Sequence, residues 1–224
     1  MSKINSQKPI GLFIESPLII GGTKIVLSVA RLELESGKNL MFHCDKQELG
    51  FAFVRAILCM QRITGGVICI KTEKKELFID RKNNVDLSRE EIRIAYVSED
   101  GSDFCRDLTI RENLNLIGDN PDFNERVQQL AGDFLVEENL DDFPDSISIN
   151  RKKIYSIIRA WVYLPDIIVY SNPLEHLDDF SSIEILKNFA IPRKESGRLN
   201  IMYVPSIGML SNIIHNFHLV ETIH

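Results

Sequence analysis

The chain is 224 residues long, 44% hydrophobic and 26% charged, with a formal net charge of −6. That length suits one sizeable core with a small inserted subdomain, and the mix is globular rather than disordered. The acidic balance excludes a broad basic surface for nucleic acid. Four cysteines, Cys44, Cys59, Cys69 and Cys105, form no C-x-x-C pair, so they read as buried thiols in a reducing compartment.

The N-terminus, MSKINSQKPIGLF, lacks the apolar stretch of a signal peptide. KPIGLFIES, TKIVLSVARLEL and KNLMFHC carry alternating apolar and β-branched residues and predict strands, punctuated by glycines at Gly21 and Gly37. A strongly apolar helix is expected from about Gln47 to Arg62, ended by Gly65 and Gly66, and VICIKT reads as the next strand. Residues 73–90 are charged and read as a hairpin or loop, and IRIAYV as a buried strand.

From Thr109 to about Asn139 the pattern turns helical, with Leu114, Leu116, Val127, Leu130 and Leu135 among charges. Residues 104–150 read as a helical insertion in a single domain spanning the chain. Ile154, Ile157, Ile158 and Trp161 then fall on one face of a helix from about Asn150 to Tyr163. Pro165 ends it, and DIIVY is a short apolar strand of the parallel-sheet type. The segment IIRAWVYLPDIIVY is broken by Arg159, Pro165 and Asp166, so it is no membrane span. A helix in SSIEILKNF, a strand in LNIMYV, a short helix and a last strand, FHLVETI, follow. Strands alternating with helices predict an α/β fold with a mainly parallel sheet.

The order of these landmarks resembles the nucleotide-binding subunits of ABC transporters over nearly the whole chain. IAYVSEDGSDFCRDLTIRENLNL is the most specific match: it is similar to the segment around the family's Q-loop, which ends in a threonine followed by Glu-Asn-Leu, here Thr109, Glu112, Asn113 and Leu114. RKKIYSIIRAWVYLPDIIVYSNPLEHLDD resembles the helix after the signature motif, the Walker B strand and the D-loop. Arg159, Ala160, Pro165, Pro173, Leu177 and Asp178 keep the family's residue there. The resemblance implies a P-loop NTPase-like core with a mainly parallel sheet, an N-terminal antiparallel β subdomain and the helical insertion.

The positions that would carry ATP chemistry are matched by other residues. A phosphate loop, G-x-x-x-x-G-K-[ST], uses glycines to close its N–H groups around phosphate, lysine to neutralise it and a hydroxyl to hold magnesium. In this chain Cys44 and Leu49 stand at the two glycines, Gly50 at the lysine and Phe51 at the hydroxyl. Glu99 stands at the Q-loop glutamine, and Ser171 and Asn172 at the Walker B aspartate and its neighbouring glutamate. The switch histidine is matched by Pro205 or Ser206. The signature is matched by Ile147, Ser148, Ile149, Asn150 and Arg151, so that only its serine survives. No adenine-stacking aromatic stands near Ile19 and Ile20. Losing the lysine and one loop contact costs about 3–6 kcal/mol, roughly 10²–10⁴ in affinity.

Lys46 is a loop cation that could only partly replace the lysine. Asp45 and Glu48 have capping-box spacing, which would satisfy the helix N–H groups that otherwise hold phosphate. No cofactor is expected. His215 and His218 are spaced H-x-x-H, His224 is terminal and His43 adjoins Cys44; none of these makes a metal set or a nucleophile pair, and no metal is expected. Asp141, Asp142, Asp178 and Asp179 read as solvated loop carboxylates. Arg151, Lys152 and Lys153 place positive charge at a helix start, against the dipole.

The resemblance implies a pseudo-ATPase subunit, cytoplasmic and peripheral on the cytoplasmic face of the inner membrane. Its expected partners are an ABC permease subunit and an intact ABC ATPase subunit or a second copy of itself. The candidate contact residues are Glu99, Phe104, Arg106, Arg151, Lys152 and Lys153. A divergent active ATPase and a soluble regulatory scaffold are the alternatives.

Overall fold

The computed structural model of the chain describes residues 10–20, 23–82, 92–117, 121–178, 181–182, 185, 198–210 and 217–222. Outside them lie Gly21, most of the expected helix in SSIEILKNF, most of the short helix before the last strand, Asp179, His215 and His224.

Two sheets form the frame. Strand β4 (Asn39–His43) is central to a parallel sheet with β7 (Ile94–Val97), β8 (Ile167–Ser171), β9 (Leu199–Val204) and β10 (His218–Glu221), in the order β10-β4-β9-β8-β7. An antiparallel sheet comes from the first part of the chain: β1 (Ile10–Ile20) pairs with β2 (Thr23–Ile25), β3 (Arg31–Leu34) and β5 (Ile63–Thr72), and β5 pairs with β6 (Glu76–Ile79). The expected charged loop thus opens as a hairpin. The fold is mixed α/β, with a parallel sheet and an antiparallel N-terminal β subdomain.

The central parallel strands are buried on both faces, and their side chains alternate between two cores. Leu40, Phe42, Ile167, Val169, Leu199, Ile201 and Tyr203 join the core shared with the antiparallel sheet and helix α1 (Gln47–Ile57). Met41, Ile168, Tyr170, Met202 and Val204 face a second core. That core is built with α2 (Ile110–Asn115), α3 (Pro121–Asp133) and α4 (Ile149–Val162). Side chains of period two on a two-sided sheet require this division.

Helix α1 is shorter than its pattern suggests. Cys59 adopts a left-handed φ of 57°. The N–H groups of Met60 and Gln61 turn back to the Arg55 carbonyl, so the helix is closed well before Gly65 and Gly66. Those glycines instead lie inside β5, which pairs with β1 from Ile63 onward. Helix α4 falls within one residue of its expected bounds. In the helical region Leu114 and Val127 are buried, whereas Leu116 and Leu135 are exposed.

Gly50 sets the closest packing in the fold. A Cβ there would stand 2.0 Å from the Tyr203 ring, which also meets Phe51 edge-on at 5.9 Å between centroids. Gly50→Ala should therefore destabilise the protein by about 1–3 kcal/mol, the cost of overpacking a full core. Urea denaturation measures it, and the cost should shrink in a Tyr203→Leu background.

Candidate functional site

The carboxyl ends of β4, β7, β8 and β9 lie along one edge of the parallel sheet, where α/β folds place their ligand crevices. The loops leaving those ends bring together Cys44, Asp45, Lys46, Glu99, Ser171, Asn172 and Ser206.

The segment matched to a phosphate loop is closed up. Only Cys44, Asp45 and Lys46 separate β4 from α1, because Gln47 to Leu49 are already wound into the helix. The Cys44 N–H donates to the Val204 carbonyl at 3.2 Å and the Tyr203 hydroxyl donates to the Cys44 carbonyl at 3.4 Å. The capping box expected from Asp45 and Glu48 is absent. The N-cap is Lys46, extended and without a side-chain cap, while Asp45 lies 3.2 Å from His43 Nε2. His43 Nδ1 in turn lies 3.3 Å from Glu221 at the end of β10. This pair of contacts draws the carboxylate away from the helix axis, and the helix begins one residue later than the box requires. The same spacing does form a complete box at Thr109 and Glu112, opening α2.

Glu99 ties three segments together. Its Oε1 accepts from Gln47 Nε2 at 2.9 Å and from Asn172 Nδ2 at 3.4 Å, and Asn172 Nδ2 also donates to Glu175 Oε2 at 3.0 Å. Asn172 has a left-handed φ of 46°, a conformation its short amide tolerates. Ser171 is fully buried. Ser206 is exposed, and its hydroxyl accepts from the Gly208 N–H at 3.5 Å.

The signature-matched serine has become a helix cap: Ser148 Oγ accepts from the Arg151 N–H. Ile149 beside it is 40% exposed. Asn150 Nδ2 donates to Asp178 Oδ2 at 3.1 Å, and Asp178 also accepts from the Ser181 N–H at 2.7 Å. These bonds, the one from Ser181 foremost, hold the Asp178 carboxyl below the usual range.

Two expected contact residues are not on the surface. Lys153 is 0% exposed, and Phe104 is buried with the Arg159 guanidinium 4.6 Å above its ring. Both face inward because α4 presents them, or the cation that covers them, to the loop after β7. Arg106 remains exposed, 4.0 Å from Asp145, and Arg151 pairs with Glu138 at 2.7 Å. Lys152 packs its Cβ against Gly101.

Lys153 is the residue whose role sequence reading missed. Its Nζ donates to the carbonyls of Ser98 at 2.5 Å, Glu99 at 2.9 Å, Asn172 at 3.1 Å and Ser171 at 3.3 Å. Burial pushes the ammonium down to about 7, against the raising influence of Glu99, Asp100 and Glu175. On the same face of α4, Ser156 Oγ donates to Asp103, and Arg159 pairs with the Asp103 carboxylate and donates to its carbonyl. The signal was a polar stripe at 153, 156 and 159 on the face of the helix that also carries buried apolar residues.

Three cavities border these loops. The largest, about 750 Å³, lies beside the α1 N-terminus and is lined by Lys24, Lys46, Gln47, Glu48 and Thr222, among others. A second, about 340 Å³, lies between Phe51, Arg55, Tyr96, Glu99, Asp100 and His176. A third, about 320 Å³, lies between Tyr96, Asp103, Ile117, Arg159 and Tyr163. Among the described residues no group of three or more His, Cys, Asp and Glu side chains could hold a metal ion, and no helix is long and apolar enough to cross a membrane.

The backbone superposes on solved ATP-binding cassettes. CbiO1 from Clostridium perfringens, part of the ABC transporter complex CbiONQ, matches with a TM-score of 0.67 and 17% identity over 95% of this chain and 86% of that one. The ATP-binding cassette MJ0796, in a dimeric post-hydrolysis state bound to ADP and Pi, matches with a TM-score of 0.69 and 16% identity over 95% and 97%. The fold is that of an ABC ATPase. Sequence relatives point the same way. The molybdenum import ATP-binding protein ModC of Photobacterium profundum is 34% identical over 107 residues, 46% of this chain and 28% of that protein. The cell division ATP-binding protein FtsE of Bacillus subtilis is 27% identical over 142 residues, 60% and 59% of the two. The matched segments span less than two thirds of either curated relative. No protein-family profile matches the chain. At 17% and 16% identity the structural likeness shows the fold alone.

Lys153 makes stability depend on pH. An unfolded lysine keeps its proton to about 10.4, whereas the folded one releases it near 7. Between those values the unfolded state binds more protons, so stability rises with pH. The stability of the wild type relative to Lys153→Met should climb from pH 7 to pH 9, by up to about 1.4 kcal/mol per pH unit. Denaturant melts of both proteins across that range measure it; parallel pH profiles would refute it.

Proposed function

We propose that this chain is a non-catalytic ABC-type nucleotide-binding-domain subunit, acting as a structural and coupling partner in a membrane transporter complex. The observation that carries the reading is the Glu99 web. The side chain at the Q-loop position is bonded to Gln47 of the loop-matched segment and to Asn172 of the Walker B match. The groups that would meet across a γ-phosphate and its magnesium ion therefore meet one another.

The neighbouring residues agree. Tyr203 occupies the space beside Gly50, where a side chain would otherwise begin. Phe51 and Asn172 offer no anionic or hydroxyl magnesium ligand, and the Ser171 hydroxyl is fully buried. These residues do not fit magnesium–ATP. Residues 104–150 act as the helical insertion of the single domain. The cavities beside Glu99, Arg55 and Ile117 are the groove into which a permease segment docks, with Glu99, Arg106, Arg151 and Lys152 as its candidate contacts. CbiO1 is part of a transporter complex and MJ0796 forms a dimer; by likeness this chain sits on the cytoplasmic face of the inner membrane with a permease and either an intact ATPase subunit or its own copy.

One observation favours a second reading, a divergent active ATPase. The cavity of about 750 Å³ beside Lys24, Lys46 and the uncapped α1 N-terminus has the size of a small-molecule site. Titration with magnesium–ATP by calorimetry separates the two. No heat of binding up to millimolar ATP is the expected result. Micromolar binding that is lost in Lys46→Ala would overturn the non-catalytic reading. Co-purification from solubilised membranes with a permease should accompany the expected result.

A further inference from the structure

We propose that the internal amine of Lys153 fastens the 98–103 loop and the end of β8 onto α4, so that both segments hold one arrangement with no ligand bound. The proposal deepens the non-catalytic reading and rests on it, since a subunit that receives no nucleotide must set these loops by its own side chains.

The geometry is that of a cation site filled from within. Four backbone carbonyls, from Ser98, Glu99, Ser171 and Asn172, converge on one nitrogen at 2.5 to 3.3 Å. They come from the ends of two adjacent parallel strands, β7 and β8, and from the residues just beyond. The nitrogen comes from α4, which lies between them in sequence. One side chain therefore joins α4 to both strand ends, just beyond the last β7–β8 pair, Val97 with Tyr170. An ammonium has three N–H donors and a neutral amine two, so the four carbonyls share them.

Two further contacts act along the same helix face. Ser156 and Arg159, three and six residues on, both engage Asp103. Gly101 has a left-handed φ of 65°, and a Cβ there would stand 2.8 Å from the Lys152 Cβ, so the loop lies flat against α4 at its middle as well. Asp103 also accepts from Ser98 Oγ at 2.8 Å, which closes the loop on itself. Glu99, Asp100 and Glu175 place negative charge around the nitrogen. Removing the nitrogen takes a donor from four inward-facing carbonyls, of which the Asn172 carbonyl keeps the Glu175 N–H at 3.2 Å, and buried acceptors left without a donor are costly.

Hydrogen exchange on the full chain without ligand tests this, comparing the wild type with Lys153→Met, which keeps the length and loses the donors. Amides of 98–103 and 172–178 should exchange about tenfold faster or more in the variant, beyond the change in β4 and β9, because the opening is local. Unchanged exchange in the two segments, or a uniform increase over the whole chain, would overturn the proposal. Should the variant not fold, the wild type alone decides: in low denaturant the two segments and α4 open in one step if they are fastened, and separately if they are not. Adding millimolar magnesium–ATP tells the two ideas apart. New protection over residues 44–49 would sink the non-catalytic reading and leave the fastening intact; independent opening without any effect of ATP would do the reverse.

Discussion

The parallel strands β4, β8 and β9 are buried on both faces, and that constraint organises everything else. Each strand must supply apolar side chains in both directions, to α1 and the antiparallel sheet on one side and to α2, α3 and α4 on the other. Few polar groups leave the sheet sideways; the Tyr170 hydroxyl does so by accepting from Trp161 Nε1 at 3.0 Å. Polar chemistry is confined to the strand ends, and all the loops of interest gather there.

Packing also accounts for the state of the loop-matched segment. Tyr203 is fully buried on the face toward α1, so the helix can approach only where it has no side chain. Gly50 meets that demand. A glycine chosen for helix packing is a different device from a glycine chosen to wrap an anion, although both are glycines near the start of the same helix. Winding Gln47 to Leu49 into α1 turns the Leu49 and Gly50 N–H groups onto the Lys46 carbonyl, where a phosphate loop would leave such groups open to an anion.

The polar residues at the strand ends form closed sets. Glu99, Gln47, Asn172 and Glu175 satisfy one another, and Lys153, Ser156 and Arg159 satisfy the loop that carries Glu99. Low local dielectric makes each member costly to leave alone and strong when paired. The helical region and the sheet are thereby linked by side chains where they are not linked by strands.

The sequence by itself determined the elements and their facing. The strand run LNIMYV, the apolar DIIVY and the i, i+3, i+4 stripe of α4 are properties of each segment alone, so they were legible to within a residue or so. Glu99, Ser171 and Asn172 were also placed at the right strand ends, because order along the chain fixes which residue follows which strand. Only the tertiary structure decided the partners. Asp45 could have capped α1, but His43, itself held by Glu221, lies close enough to claim it; Lys153 and Phe104 were both expected at a contact surface, and the packing of α4 against the loop buried them. A hydrogen bond between residues far apart in sequence depends on which strands lie side by side, and β7 beside β8 is a fact of topology that no local pattern records.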